Sequence, residues 1–196
     1  MVNLTNKENE ALLKVFKDFS INYNANSISK EINITPRGAL KILKNLEKQG
    51  MLKSKIMGKA TFYKINFDDL YVCKIIETLL ISESREKASR WIEEFKSIFS
   101  DTQIIIIFGS IIRNPKEAND IDILLVYDSK NYKKISHFIT EKNKIMVKKI
   151  HNISLTIRDL INNLRNNDAI VDSVRTGYVL NGHDKLVEVI KNVSSV

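Results

Sequence analysis

The chain has 196 residues, 43% of them hydrophobic and 28% charged, and no apolar run approaches the roughly 20 residues that a membrane-spanning helix needs. Cys73 is the only cysteine, which excludes an internal disulfide and a zinc site of several thiolates and leaves it to be read as a buried structural thiol. The net charge of +8 is uneven: residues 1–66 hold 12 Lys/Arg against 5 Asp/Glu, leaving +1 for the rest, as in a polyanion-binding module fused to something else. The polar start Met1–Glu10 is unlike a secretory signal, so the expectation is a cytoplasmic protein.

Leu12, Leu13, Val15 and Phe16 predict a first helix over 7–19, ended by the polar stretch 22–26. Ser27 suits the cap of a short second helix, Ile28 to Ile32. Thr35 then suits an N-cap and Pro36 a first helical position, where its missing N–H costs nothing. From there Ala39, Leu40, Ile42, Leu43 and Leu46 form an apolar stripe that stops at Gly50. Arg37, Lys41, Lys44, Asn45 and Lys48 fall on the other face. After Gly50 the period becomes alternating, and Met51 to Met57, a Gly58-Lys59 turn and Ala60 to Ile65 read as a β-hairpin.

Three helices followed by a basic hairpin over residues 5–67 resemble the winged helix-turn-helix family, most closely in Gly50-Met51-Leu52-Lys53 and Gly58-Lys59-Ala60-Thr61-Phe62-Tyr63. The resemblance implies that the third helix enters the major groove of double-stranded DNA and the hairpin lies along the backbone or in the minor groove. Arg37, Lys41, Lys44 and Lys48, with Lys53, Lys55 and Lys59 on the hairpin, are the residues expected to meet phosphates. A basic face that is only solvated is the plainer alternative.

Leu70, Tyr71, Ile75, Ile76, Leu79 and Leu80 give the next helix, 70–81, too much apolar surface for a solvent-spanning linker. In winged-helix proteins such a helix often joins two copies, and a homodimer would match a palindromic operator. Ser82–Ser84 should break the pattern before an amphipathic helix from Arg85 to Phe99, with Trp91, Phe95, Ile98 and Phe99 inward. The expected division is a DNA-binding domain over 1–67, a helical connector over 68–84 and a mixed α/β domain over 85–196, an α+β protein overall. In the last domain Thr102–Phe108 and Asp120–Tyr127 read as buried strands and Ile153–Ile157 as a third. Helices are expected near 133–142, 160–164, 169–174 and 185–193.

Gly109-Ser110 ends one apolar strand, and nine residues later Asp120-Ile121-Asp122 opens another. Residues two apart on a strand share a face, so both carboxylates project together, and two hard oxygen ligands side by side suit Mg²⁺. The Gly109-Ser110 turn would open a helix whose free N–H groups favour a phosphate, with Gly109 permitting close approach and Ser110 adding a hydroxyl donor. The three histidines, His137, His151 and His183, are widely spaced and read as surface or core residues.

This pattern, over residues 86–195, resembles the polymerase-beta-type nucleotidyltransferase superfamily, particularly its minimal members in bacteria and archaea. Arg113 sits where those proteins often carry an arginine, and Gly177-Tyr178-Val179-Leu180-Asn181-Gly182 resembles their C-terminal segment. The resemblance implies that Asp120 and Asp122 hold Mg²⁺ and are catalytic. It also implies that Gly109, Ser110 and Arg113 bind a nucleoside triphosphate, whose monophosphate passes to an acceptor as pyrophosphate leaves. Superfamily enzymes commonly add a third carboxylate on the next core strand. The strand expected at Ile153–Ile157 has none, and Asp159 lies just beyond it. Three readings follow: a DNA-binding transcriptional regulator that binds Mg-NTP, an antitoxin-type transferase that modifies a partner toxin protein, and an inactive interaction module.

Overall fold

In the computed structural model residues 4–194 are described; residues 1–3 and 195–196, the outer ends of the expected segments 1–67 and 85–196, lie outside them. The chain divides into two compact units between Leu79 and Leu80.

In the first unit, α1 (Asn6–Lys17) starts with a capping box: the Thr5 hydroxyl accepts from the Glu8 N–H, and the Glu8 carboxylate accepts from the Thr5 N–H at 2.8 Å. The helix buries Ala11, Leu12, Val15 and Phe16. α2 (Ala25–Glu31) is capped by Asn24, earlier than expected, and Ser27 is its third residue, closing a second box. α3 (Pro36–Lys48) has the cap and first residue that Thr35-Pro36 predict. Its buried stripe is Ala39, Leu43 and Leu46, narrower than expected, because Leu40 is 38% exposed. Asn45 is exposed, as expected, and its amide also donates to Glu8, which ties α3 to α1.

β1 (Leu52–Met57) pairs antiparallel with β2 (Ala60–Ile65), from Leu52↔Ile65 to Met57↔Ala60. Alternation puts buried Leu52, Tyr63 and Ile65 on one face and exposed Lys53, Lys55 and Lys64 on the other. The Tyr63 N–H donates to the Tyr23 carbonyl at 2.8 Å, which adds one bridge to the hairpin.

α4 (Leu70–Lys87) is continuous through Ser82–Ser84, where a break was expected. The Ser84 hydroxyl donates back to the Ile81 carbonyl at 3.0 Å, so this buried serine is satisfied by the helix itself. Val72, Ile76, Leu80, Ser84 and Ala88 are buried at four-residue steps, whereas Leu70 and Tyr71 are exposed. Cys73 is half-buried rather than a core thiol, with its sulfur 3.8 Å from the Phe67 carbonyl.

The second unit continues with α5 (Ser89–Phe95), a 3₁₀ turn (Lys96–Asp101), β3 (Ile104–Phe108), α6 (Ser110–Arg113) and β4 (Asp120–Val126). It then runs through α7 (Tyr132–Ile145), β5 (Lys149–Leu155), α8 (Ile157–Asn166), α9 (Asp168–Thr176), β6 (Tyr178–Asn181) and α10 (His183–Ser194). The sheet order is β5-β4-β3-β6, with β4 and β5 parallel and the other pairs antiparallel. Ile121, Ile123 and Leu125 of β4 face a core shared with Phe95, Ile98, Ile135 and Ile139. Leu124 and Val126, on the opposite face, are also fully buried, as expected of a central strand covered on both sides. Among the described residues no helix is long and apolar enough to cross a membrane.

Candidate functional site

Asp120 and Asp122 stand at the start of β4 on one face, half-buried, while Ile121 points into the core. The antiparallel register sets Asp122 opposite Phe108, the last residue of β3, so the turn at Gly109 meets the carboxylate directly. Gly109 has φ +80° and ψ −155°, a conformation that essentially only glycine adopts. A Cβ there would clash with the Asp122 carboxylate oxygen and lie 3.0 Å from its Cγ. Glycine is thus required twice, for the backbone angle and for the space that Asp122 fills.

Ser110 follows at once and opens α6, a helix of one turn. A helix this short has little macrodipole, so the expected anion-binding role falls mainly on individual N–H groups, the serine hydroxyl and nearby cations. Arg113 is such a cation: it is exposed, its Nε donates to the Gly109 carbonyl at 3.3 Å, and its charge acts on Asp122. Burial, and next the neighbouring Asp120 carboxylate, push the Asp122 carboxyl above its ordinary pKa, while His151 and Arg113 act the other way. A pair of carboxylates so placed is a site where added positive charge is favourable.

β5 changes the expected ligand set. It begins at Lys149, four residues before the strand expected at Ile153–Ile157, and its parallel register sets His151 beside Asp122. His151 Nδ1 lies 2.9 Å from Asp120 Oδ2. One donor atom each from Asp120, Asp122 and His151 lie within 4.8 Å of one another, a spacing a single metal ion can span. The other two histidines stand elsewhere: His137 is exposed on α7, and His183 Nε2 lies 3.3 Å from the Ser84 hydroxyl.

Asp159 does not join this group. It is the third residue of α8, and its carboxylate accepts from the Thr156 hydroxyl at 2.7 Å and the Thr156 N–H at 3.1 Å. Those two hydrogen bonds, the hydroxyl's first, hold its carboxyl below the ordinary value. Asp159 is a helix-capping acid, and the side chain that β5 sets beside the aspartates is His151, upstream of the strand expected at Ile153–Ile157 and concealed by the wide spacing of histidines along the chain.

In the first unit, Arg37, Lys41, Lys44 and Lys48 are all exposed and follow one another by four, three and four residues on α3, so they share a face. Lys53, Lys55 and Lys59 are exposed on the hairpin, and Lys64, opposite Lys53 in the register, joins them. Lys53 is paired with Asp68, which draws part of that charge back onto the protein.

Residues 88–176 match the family described as nucleotidyltransferase domain, a span that includes Gly109, Ser110, Arg113, Asp120, Asp122 and His151. The second unit therefore carries a nucleotidyltransferase domain. No curated protein matches the chain. Among solved structures, the chain is similar to a crystal structure of ZitR from Lactococcus lactis, described as a zinc-responsive MarR family member, at 14% identity over 73% of this chain and 76% of that one. The TM-score is 0.37, a likeness too loose to carry an argument about fold.

Proposed function

We propose that the protein is a DNA-binding regulator whose nucleotidyltransferase domain binds a nucleoside triphosphate together with a divalent cation. The observation that carries this reading is the convergence of Asp120, Asp122 and His151 beside the Gly109-Ser110 turn. The donor set fits a divalent cation, and when bound such an ion supplies charge neutralisation for phosphate oxygens. Asp120, Asp122 and His151 would hold it, while Ser110 and Arg113 offer a hydroxyl and a guanidinium to the phosphates.

The first unit is read as a winged helix-turn-helix. Its three helices and hairpin, the exposed row Arg37, Lys41, Lys44 and Lys48, and the lysines of the hairpin support that reading. Leu40, exposed within the same row, is an apolar side chain of the kind that meets a thymine methyl group.

A second reading, transfer of a nucleoside monophosphate to a small molecule or a partner protein, is favoured by the family match itself. Against it stands Asp159, occupied in a helix cap where a third carboxylate would supply a general base. Incubation with each α-labelled NTP and Mg²⁺ or Mn²⁺ separates the two. Nucleotide binding without covalent transfer is the expected result. Transfer that vanishes in Asp120→Asn/Asp122→Asn would overturn the regulator reading in favour of an active transferase.

A further inference from the structure

We infer that His151 is the third protein ligand of the cation, and that the site consequently favours a first-row transition ion such as Mn²⁺ over Mg²⁺. This rests on the reading that Asp120 and Asp122 hold a cation, and it adds which residue completes the set and which class of ion it selects.

The geometry comes from strand pairing. β4 and β5 run parallel through seven paired positions, Asp120↔Lys149 to Val126↔Leu155, and His151 shares the face of the two aspartates. Its Nδ1 is 2.9 Å from Asp120 Oδ2. Donors at neighbouring corners of an octahedron with bonds of about 2.1 Å are about 3 Å apart, so this separation already suits two ligands of one ion. The start of β5 is also pinned. Asn143 at the end of α7 accepts from the Ile150 N–H at 2.7 Å and donates to the Ile150 carbonyl at 3.3 Å. Lys149 Nζ donates to the Asn143 carbonyl at 2.6 Å and the Met146 carbonyl at 3.2 Å. The residue before His151 and the one before that are thereby fixed to α7, which sets where the imidazole emerges.

The chemistry follows from the donors. Mg²⁺ is a hard ion that prefers oxygen, whereas imidazole nitrogen raises affinity for the transition metals. The two carboxylates suit Mn²⁺ as they suit Mg²⁺, so the preference comes from the single imidazole, which the transition ion tolerates better than Mg²⁺ does, with water or phosphate oxygens at the remaining positions.

The test uses the full chain with Mn²⁺, and with Mg²⁺ as competitor, in the absence of nucleotide. Pulsed electron paramagnetic resonance of bound Mn²⁺ should show coupling to an imidazole ¹⁴N in the wild type and none in His151→Ala or His151→Asp. Competition titration should show the Mn²⁺/Mg²⁺ affinity ratio falling by about 10-fold in His151→Asp, which exchanges the imidazole nitrogen for a third oxygen ligand, an effect no smaller than that of altering the groups that merely orient metal ligands. Circular dichroism of each variant checks that it is folded. Bound Mn²⁺ without nitrogen coupling, or an unchanged ratio in His151→Asp, would overturn the assignment of His151 while leaving the aspartate site standing. Mn²⁺ binding that survives Asp120→Asn/Asp122→Asn, or no binding by the wild type, would overturn the site itself.

Discussion

The exposed basic row on α3 and the Asp120, Asp122 and His151 group are built in different ways. The first consists of long side chains that end in solvent, each about as replaceable as its neighbour. The second needs Gly109, two strand registers and the pinned start of β5 to bring three short side chains within a few ångströms. A distributed surface should therefore lose function gradually as residues are removed. A converging site should lose it in one step.

The largest effect is expected from Gly109→Ala, which puts a Cβ against the Asp122 carboxylate in a backbone conformation that disfavours it. We expect destabilisation of about 1 to 3 kcal/mol by denaturant titration, together with loss of cation-dependent nucleotide binding. A stable variant with unchanged nucleotide affinity would show that Asp122 is not held in place by this turn.

A smaller, graded effect is expected on the basic row. In anisotropy titrations with duplex DNA, each of Lys41→Ala, Lys44→Ala and Lys48→Ala should weaken binding modestly. Each should also reduce the slope of log affinity against log salt by about 0.9 if its ammonium neutralises one phosphate, and the triple variant should sum the three. Abolition of binding by one of these changes would contradict the distributed picture and point to a single dominant contact.

The smallest effect concerns the scaffold. Burial raises the Glu8 carboxyl pKa, but the Thr5 N–H, the Asn45 amide and the Thr5 hydroxyl together hold it below its ordinary value of 4.5. A depressed folded value means that this stabilisation is present above pH 4.5 and is lost as pH falls through the folded value. Glu8→Gln should cost about 1 kcal/mol at pH 7, the scale of a helix cap, and flatten the acid limb of a stability profile. An acid limb identical to that of the wild type would show that other carboxylates govern it.

Legibility from sequence followed the same division between local and long-range causes. Thr35-Pro36 and the hairpin turn are local signals, and α3, β1 and β2 fall close to where they predict. β3 and β4 are central strands buried on both faces, so they appear as unbroken apolar runs with Gly109, Ser110, Asp120 and Asp122 at their ends. β5 is an edge strand whose residues are mostly exposed, so its start carries little apolar alternation. The partnership of His151 with Asp122 is a matter of register between segments separated by a whole helix, which no local pattern records. Asp159 did carry a readable signal: Thr156-x-x-Asp159 has the spacing of a capping box, and that is the role the acid fills. The serines of α4 misled for the converse reason, since Ser84 bonds to its own helix and leaves it unbroken.

The most direct test of the central claim is calorimetric titration of a nonhydrolysable nucleoside triphosphate into the full chain, with and without Mn²⁺ or Mg²⁺, for the wild type and Asp120→Asn/Asp122→Asn. Cation-dependent binding by the wild type, lost in a variant that remains folded, is the predicted result. Equal binding by both proteins, or none by either across the NTPs, would contradict it.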